Sequence, residues 1–369
     1  MMTLRLFLVG VFAAIVVFSG VYSLLMPSLT RRDVFFGVTM TPNARATPLG
    51  HRILARYRLA IGLTTVAVLG LLVLVYAAAP DEWLVSPWVS MGILGALLLL
   101  GLPYLSAHWA SRRLAAPAEA THDTAPPAAG RSARRYGDAV PWVWELLPVA
   151  LIAATTVYLA QQYDGAPRLI PTHYDINGHA NAFAPKSVGP FFMLVWVQLF
   201  IEVFLTGIAL LLVGARAIPG QASERYRRIW LRGLFGIKTL TLAYLGVIAA
   251  LIGSSAGATT LSPALFLIPL GVFLLLVFGG VTVLAVRTGQ GGARLGSPEE
   301  TATDRMNDRY WKLGVIYINR DDPAVFVERR FGIGWTLNFG NPRGVLALVV
   351  LLAAPLALVA VILAVSQPR

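Results

Sequence analysis

Residues 263–286 read PALFLIPLGVFLLLVFGGVTVLAV, an apolar stretch that contains no charged residue. A helix of about 20 such residues is long enough to cross the hydrocarbon core of a bilayer. Because backbone groups in lipid must hydrogen-bond within their own segment, this stretch predicts a helix rather than an open strand. Seven further stretches resemble it, so the same argument decides the fold class of the whole chain.

Composition supports this fold class. Of the 369 residues, 57% are hydrophobic and 13% are charged, whereas a soluble domain carries about 25% charged residues. The apolar stretches lie at residues 4–26, 58–79, 88–108, 141–161, 190–213, 234–253, 263–286 and 344–365. We therefore predict an all-α polytopic membrane protein with about eight transmembrane helices.

The basic residues predict the orientation of these helices. The loops 27–57 (with Arg58), 109–140, 214–233 and 287–343 hold 25 of the 30 Lys and Arg residues, and the loops between them hold only Arg168 and Lys186. The positive-inside rule places the basic loops in the cytoplasm. We therefore predict a multi-pass protein of the bacterial inner membrane with both termini outside.

The loops divide the chain into regions. Residues 1–114 form a three-helix membrane region, and the Pro- and Ala-rich stretch 115–140 is a predicted disordered cytoplasmic linker. A second membrane region, 141–286, holds helices four to seven. It is followed by a cytoplasmic module, 287–343, and by the last helix, 344–369. Within the module, WKLGVIYIN, AVFVERR and GIGWTLNFG each predict one short strand.

The outward loop 161–189 is the first candidate functional site, because it combines two of the five histidines with an acidic residue and turn-forming residues. Its candidate binding residues are Pro171, His173, Asp175, Asn177, Gly178, His179 and Lys186. Since imidazole and carboxylate groups suit zinc, His173, Asp175 and His179 are also a candidate metal site. The alternative is an ordered loop whose side chains hydrogen-bond its own backbone, and we predict no cofactor.

One pattern in this loop resembles a known family. Pro171-x-His173-x4-Gly178-x7-Lys186, followed directly by an apolar helix, is similar to the signature loop of the SdpI-like family of bacterial membrane proteins. That family is named after an immunity protein that protects cells from a secreted membrane-active peptide toxin and sequesters a transcriptional repressor at the membrane. The resemblance implies an immunity or sensing role, with a peptide toxin or envelope ligand outside and a protein partner inside.

The C-terminal segment 307–343 carries a second pattern. Its aromatic, glycine and asparagine spacing resembles an uncharacterised domain often found in such proteins. The candidate residues of this module are Trp311, Asn319, Asp322, Arg330, Trp335 and Asn338. Arg329, Arg330 and Arg343 are expected to reach lipid phosphates. The sequence Arg329-Arg330-Phe331-Gly332 also echoes residues 31–37, which suggests that the two loops pack in a similar way.

Three polar residues, Gln198, Glu202 and Lys238, lie within predicted spans. An ionisable group at bilayer depth costs about 2.5–3.5 kcal/mol, so Glu202 is expected to face the bundle interior. Gln198 lies one turn earlier on the same face. Lys238 is either the partner of Glu202 or a side chain that snorkels to the interface. The group forms either a proton or substrate relay or a structural clamp, while Glu145 at the edge of span four needs no function.

The sequence predicts no soluble enzyme. It contains no cysteine, no phosphate-binding glycine loop and no nucleotide fingerprint, and topology already explains its basic loops, so no nucleic-acid partner is expected. The favoured function is immunity or sensing through the outer loop. The alternatives are a proton-coupled transporter or lipid-handling permease that uses Glu202, and a membrane metallohydrolase built on His173, Asp175 and His179.

Overall fold

The structure, a computed structural model, describes residues 2–78, 92, 94–96, 98–115, 136–175, 177–213, 221–255, 257–296 and 308–366. The helices are α1 Met2–Leu29, α2 Pro48–Ala78, α3 Leu102–Leu114, α4 Leu146–Tyr163, α5 Met193–Val213, α6 Gln221–Ser254, α7 Ala264–Thr288 and α8 Pro342–Ser366. The strands are β1 Val34–Phe35, β2 Val38–Thr39, β3 Leu169–Tyr174, β4 Ala180–Pro185, β5 Trp311–Lys312, β6 Ile316–Tyr317, β7 Phe326–Glu328 and β8 Trp335–Leu337. Consecutive strands pair as four antiparallel hairpins.

All of these helices except α3 are long and apolar enough to cross a membrane, which makes seven candidate spans among the described residues. Their outer surfaces expose large apolar side chains, such as Leu275 and Val203, to the space that lipid fills. The predicted fold class, a multi-pass helical membrane protein, is confirmed. The remaining predicted span is the third in the chain, 88–108. Its described residues are helical apart from a turn at 100–101, and residues 88–91, 93 and 97 lie outside the described part.

Two helices begin earlier than the sequence predicted. The α2 helix begins at Pro48 instead of residue 58, and α6 begins at Gln221 instead of residue 234. Hydropathy locates the part of a helix that lipid surrounds, whereas the helix itself continues through polar residues beyond the bilayer. Parts of the predicted loops 27–57 and 214–233 are therefore helical.

The α6 helix is the centre of the membrane bundle. It packs against α4, α5 and α7, and α7 also packs against α1. The α1 helix in turn packs on α2, and α2 packs on α3. Small residues permit the close approach of α6 and α4: a Cβ atom at Gly246 would lie 2.9 Å from the Thr155 hydroxyl oxygen. The described helices are thus connected to one another in one bundle.

The hairpins lie at the two ends of this bundle. The β3–β4 hairpin connects α4 to α5, and we call its side the hairpin end. The hairpins β1–β2, β5–β6 and β7–β8 lie near the starts of α6 and α8, at what we call the module end. There the Tyr226 hydroxyl of α6 accepts a hydrogen bond of 2.8 Å from the Gly334 amide of the module.

The prediction of a single strand in the first part of the module is wrong. The run WKLGVIYIN forms the two strands β5 and β6, because Leu313 and Gly314 make a turn with φ angles of 53° and 69°. The predicted strands in AVFVERR and GIGWTLNFG correspond to β7 and β8. The module therefore consists of two hairpins.

The predicted linker 115–140 also ends earlier than expected. Residues 116–135 lie outside the described part, but Tyr136–Asp138 form a helical turn, and Val140 is fully buried against α5 and α6. The Arg232 guanidinium Nε donates a 2.9 Å hydrogen bond to the Ala139 carbonyl. The last five residues of the predicted linker are therefore part of the folded bundle.

The module packs against the first loop of the chain. The ring of Phe36 stacks on that of Phe331 with a centroid distance of 5.6 Å, and Tyr104 of α3 donates a 2.9 Å hydrogen bond to the Leu313 carbonyl. Arg330, which is fully buried, contacts the Thr39 hydroxyl and the Asp308 carboxylate. The two loops with similar sequences thus form one hydrophobic cluster, in contact with each other.

The turn at Gly314 provides a test of this packing. A Cβ atom at Gly314 would lie 2.7 Å from the Gly37 Cα and 2.8 Å from the Tyr104 hydroxyl oxygen, and its φ is positive. We expect Gly314→Ala to destabilise the protein by about 2–4 kcal/mol, because backbone strain and steric overlap add. The control is Gly334→Ala, whose φ is also positive but whose Cβ would have open space, with an expected cost of about 1–2 kcal/mol. Urea unfolding of both variants measures the difference, and equal costs would contradict the close packing of the two loops.

Candidate functional site

The candidate loop 161–189 forms the β3–β4 hairpin, which the sequence analysis described only as an ordered loop. Its tip is closed by Asp175, whose carboxylate Oδ1 accepts two backbone hydrogen bonds of 2.8 Å, from Asn177 and His179. The Asp175 carbonyl accepts a third, from the Gly178 amide. These bonds make an Asx-type turn, which Asn-Gly sequences favour. Asp175 therefore has a structural role in the tip of the hairpin.

Gly178 connects this tip to the chain that follows α6. Its φ is 83°, and a Cβ atom would lie 1.8 Å from the Leu261 carbonyl oxygen. The Leu261 amide donates a 2.8 Å hydrogen bond to the Gly178 carbonyl, and the Ala180 amide donates one of 2.7 Å to the Thr259 carbonyl. Only glycine permits this approach, so Gly178, the glycine of the SdpI-like sequence pattern, lets the hairpin lie against the α6–α7 connection.

The two histidines of the hairpin do not converge on a common point. The His173 Nδ1 lies 2.5 Å from the Asn181 Oδ1, whereas the exposed His179 has its Nδ1 3.5 Å from the Asp175 Oδ2. Within the residues that the structure describes, no group of three His, Asp or Glu side chains is arranged to hold a metal ion. The arrangement fits the ordered-loop reading of these residues better than the zinc reading.

Lys186 joins the base of the hairpin to the end of α4. Its ammonium donates hydrogen bonds of 3.0 and 3.3 Å to the carbonyls of Asp164 and Ala166, and it lies 4.8 Å from the centroid of the Tyr163 ring. A cation is favourable at a helix C-terminus because the last carbonyls have no partner within the helix. Lys186 therefore fixes the angle between the hairpin and the bundle.

A cavity of about 370 Å³ lies between the hairpin and the ends of the helices. Its floor is apolar and comes from four helices, with Leu159 of α4, Leu194 of α5, Ala249 of α6 and Leu267 of α7. The hairpin forms its roof and contributes Pro171, Thr172, His173, Asp175 and Gly178 among others. The size and the mostly apolar lining are those of small-ligand sites. Sequence reasoning identified the roof but could not identify the floor.

The roof of the cavity contributes one hydroxyl group without a partner. The Thr172 Oγ1 is buried and makes no hydrogen bond in the structure, whereas the neighbouring Tyr174 hydroxyl donates one of 3.1 Å to the Ala258 carbonyl. A buried polar group without a partner is costly. A ligand in the cavity that bonds to Thr172 would remove this cost, so Thr172 is a candidate binding residue that the sequence analysis did not name.

A second polar site lies within the membrane bundle, around Lys238 of α6. Its ammonium is 2.5 Å from the Glu145 Oε2, 2.9 Å from the Glu202 Oε1 and 2.9 Å from the Thr206 hydroxyl oxygen. The Lys238 side chain is only 2% exposed, so it does not snorkel. Glu145, for which the sequence required no function, is an ion-pair partner of this buried lysine.

Gln198 lies one turn before Glu202 on α5 and is completely buried. Its amide nitrogen donates hydrogen bonds of 2.8 Å to the Leu242 carbonyl and 3.3 Å to the Thr155 hydroxyl oxygen. These bonds connect α5 to α6 and α4. Gln198 thus acts as a clamp among the three helices, as one of the two sequence-based alternatives proposed.

The candidate polar residues of the module form its internal scaffold. The fully buried Asn338 side chain bonds through both of its ends: its Oδ1 accepts from the amides of Asn319 and Gly340, and its Nδ2 donates to the carbonyls of Asn319 and Asp322. The Asp322 Oδ2 accepts a 2.9 Å hydrogen bond from the Tyr317 hydroxyl. Asn319, Asp322 and Asn338 are therefore committed to the fold rather than presented to a partner.

The remaining candidate residues of the module are also largely internal. Trp311 is buried against Tyr317 at a centroid distance of 5.0 Å, and Trp335 packs on Tyr226 of α6 at 5.2 Å. Arg330 is fully buried, so the expectation that it reaches lipid phosphates is wrong. The contacts of its guanidinium with the Thr39 hydroxyl and the Asp308 carboxylate offset the cost of burying this charge.

Comparison with known families identifies two segments of the chain. Residues 150–197 match the model of a domain of unknown function (DUF1648), and residues 320–345 match that of a family of unknown function (DUF5808). The first domain occurs in SdpI-like proteins, and its match spans most of α4, the hairpin and the first residues of α5. No curated protein and no solved structure matches the chain. Membership of the SdpI-like family therefore stays a prediction.

The Asp175 turn provides a pH-dependent test of the hairpin. The hydrogen bond from the His179 amide, with a smaller contribution from Asn177, lowers the pKa of the Asp175 carboxyl. A lowered pKa in the folded state stabilises the turn above the ordinary aspartate pKa, and this stabilisation is lost as the pH falls through the lowered value. We expect amide hydrogen exchange at residues 177 and 179 to accelerate in that range, relative to Asp175→Asn at the same pH. A constant ratio between wild type and Asp175→Asn would contradict the role of the carboxylate.

Proposed function

We propose that this protein is a membrane receptor or immunity-type protein that binds the apolar part of a membrane-active peptide in the cavity beneath the β3–β4 hairpin. The observation that carries the proposal is the cavity itself, with an apolar floor from four helices and one unpartnered hydroxyl in its roof. Apolar area provides affinity in such sites, and a few polar groups provide orientation. The hairpin end faces outward, where a secreted peptide first meets the bilayer.

The position of the cavity favours a peptide that already lies in the membrane. The floor residues belong to apolar helices that cross the bilayer, so an apolar side chain can reach the cavity along the membrane surface without crossing water. The roof exposes His173, which lines the cavity, where it is available to polar groups of the same ligand. In this proposal, a cytoplasmic partner protein binds the module end, because the hydrogen bonds inside the module hold its surface in one conformation.

A second candidate function is a proton-coupled transporter or lipid-handling permease. It is favoured by the Lys238 cluster, because buried ionisable groups between membrane helices commonly line substrate or ion pathways. The cavity at the hairpin end includes Leu194, one turn before Gln198, but Glu202 does not line it. A growth or transport defect in cells that lack the protein, which wild type restores and Glu202→Gln does not, without any peptide sensitivity, would favour this second function.

Filling the cavity tests the receptor proposal. Leu267 lines the cavity, whereas the adjacent Ile268 is exposed on the outer surface of α7. In cells that lack the protein, we expect wild type and Ile268→Trp to restore survival under a panel of membrane-active peptides, and Leu267→Trp to fail at equal membrane abundance. Full protection by Leu267→Trp would exclude the cavity as the binding site.

The Thr172 hydroxyl tests the chemistry of the same site. Thr172→Val keeps the shape of the side chain and removes its hydrogen-bonding group. We expect it to weaken binding of a peptide against which wild type protects by about 2- to 10-fold, since one hydrogen bond contributes about 0.5–1.5 kcal/mol. Titration of labelled peptide into protein in lipid nanodiscs measures the change. An unchanged affinity would mean that the hydroxyl does not contact the ligand.

The orientation has a direct test, since the chain contains no cysteine. Single cysteines replace Phe183 in the hairpin and Lys312 in the module, both of which are exposed. We expect a membrane-impermeant maleimide to label Phe183→Cys in intact cells, and Lys312→Cys only after lysis. The reverse pattern would place the hairpin in the cytoplasm and overturn the receptor proposal.

A further inference from the structure

Two buried oxygen atoms face the interior of the bundle without any hydrogen-bond donor. They are the Gln198 Oε1 and the Glu202 Oε2, and neither has a partner in the structure. Both belong to α5 and lie one helical turn apart on the same face. Each is a hydrogen-bond acceptor, and residues four apart on a helix are neighbours, so a hydrogen atom between the two oxygens would satisfy both.

The remaining groups around Glu202 cannot supply that hydrogen atom. The Lys238 ammonium has three N–H bonds, and it already donates to Glu145, Glu202 Oε1 and Thr206. The Gln198 amide nitrogen donates to Leu242 and Thr155. The Thr206 hydroxyl donates to the Glu202 Oε1 at 3.3 Å. The donors of these three side chains are therefore committed to atoms other than the two orphan oxygens.

We propose that Glu202 is a proton-binding site within the membrane, where its protonated Oε2 donates a hydrogen bond to the Gln198 Oε1. The carboxylate takes one proton from a hydronium ion and releases one water molecule. Its other oxygen, Oε1, remains the acceptor for Lys238. The proton then satisfies both orphan oxygens, and the inference does not depend on which ligand the cavity binds.

The charges around Lys238 support this assignment. With Glu202 protonated, Lys238 pairs with Glu145, so that this ion pair carries no net charge. The Lys238 ammonium contacts the Glu145 Oε2 at 2.5 Å and the Glu202 Oε1 at 2.9 Å. The α8 helix also packs on α5, and its one charged residue is Arg343, at its first turn. Lys238 is thus the charged residue that contacts Glu202.

Paired variants distinguish the two carboxylates. Glutamine replaces a protonated glutamate closely, because its nitrogen donates where the carboxyl O–H donated. We therefore expect Glu202→Gln to keep the Tm of the full-length protein in lipid nanodiscs. Glu145→Gln is expected to lower it, since Glu202 must then ionise to neutralise Lys238 and its Oε2 faces the Gln198 oxygen again. The reverse order of Tm values would place the proton on Glu145 and overturn the proposal.

Infrared spectroscopy detects the proton itself. We expect wild type at neutral pH to show the carbonyl band of a protonated carboxylic acid, and Glu202→Gln to lack it. Gln198→Leu removes the acceptor and should shift the band, whereas Thr155→Val removes only a partner of the Gln198 nitrogen and should leave the band in place. Asp164→Asn, at an exposed carboxylate, is the control. No band in wild type, or a band that Gln198→Leu leaves unshifted, would refute the site.

Discussion

The ion pair of Lys238 with Glu145 is the interaction on which the arrangement of the central helices depends. It joins the start of α4 to α6, and its neighbours Glu202 and Thr206 bring in α5. Breaking a buried pair by removing one partner leaves an uncompensated charge, which costs far more than the intact pair contributes. The three helices therefore have one favourable arrangement. Their ends at the hairpin end of the bundle also form part of the cavity floor.

The hairpin is held over that floor by contacts of a different kind. Lys186 bonds to the carbonyls of Asp164 and Ala166, just after α4, and Gly178 lies against the chain that connects α6 to α7. Both contacts use backbone carbonyls, so they hold the roof at fixed points independent of the side chains that line the cavity. The lining can consequently vary in shape or polarity without loss of the roof, which suits a site that must recognise one ligand among similar ones.

The sequence predicted the membrane helices and the turn-forming character of the loop 161–189 because both depend on local properties. A span needs only an apolar stretch, and the turn needs only residues that tolerate a positive φ and cap a backbone. The ion pair of Glu145 with Lys238 could not be predicted in this way, since 93 residues separate them. Taken alone, each residue is also explained by a position near the membrane surface. The cavity floor was inaccessible for the same reason, because it arises where four distant helix ends meet beneath one hairpin.

The contact of the first loop with the C-terminal module has a consequence for how the chain is made. Arg330 and its partner Thr39 are separated by 291 residues, and Phe36 stacks on Phe331 across a similar interval. A ribosome therefore completes most of the membrane helices before the partner of the first loop exists. During that interval Phe36 has its contacts with Tyr57 of α2 and Tyr104 of α3, but not yet the one with Phe331. The C-terminal module thus completes the packing of the first loop as the closing step of assembly.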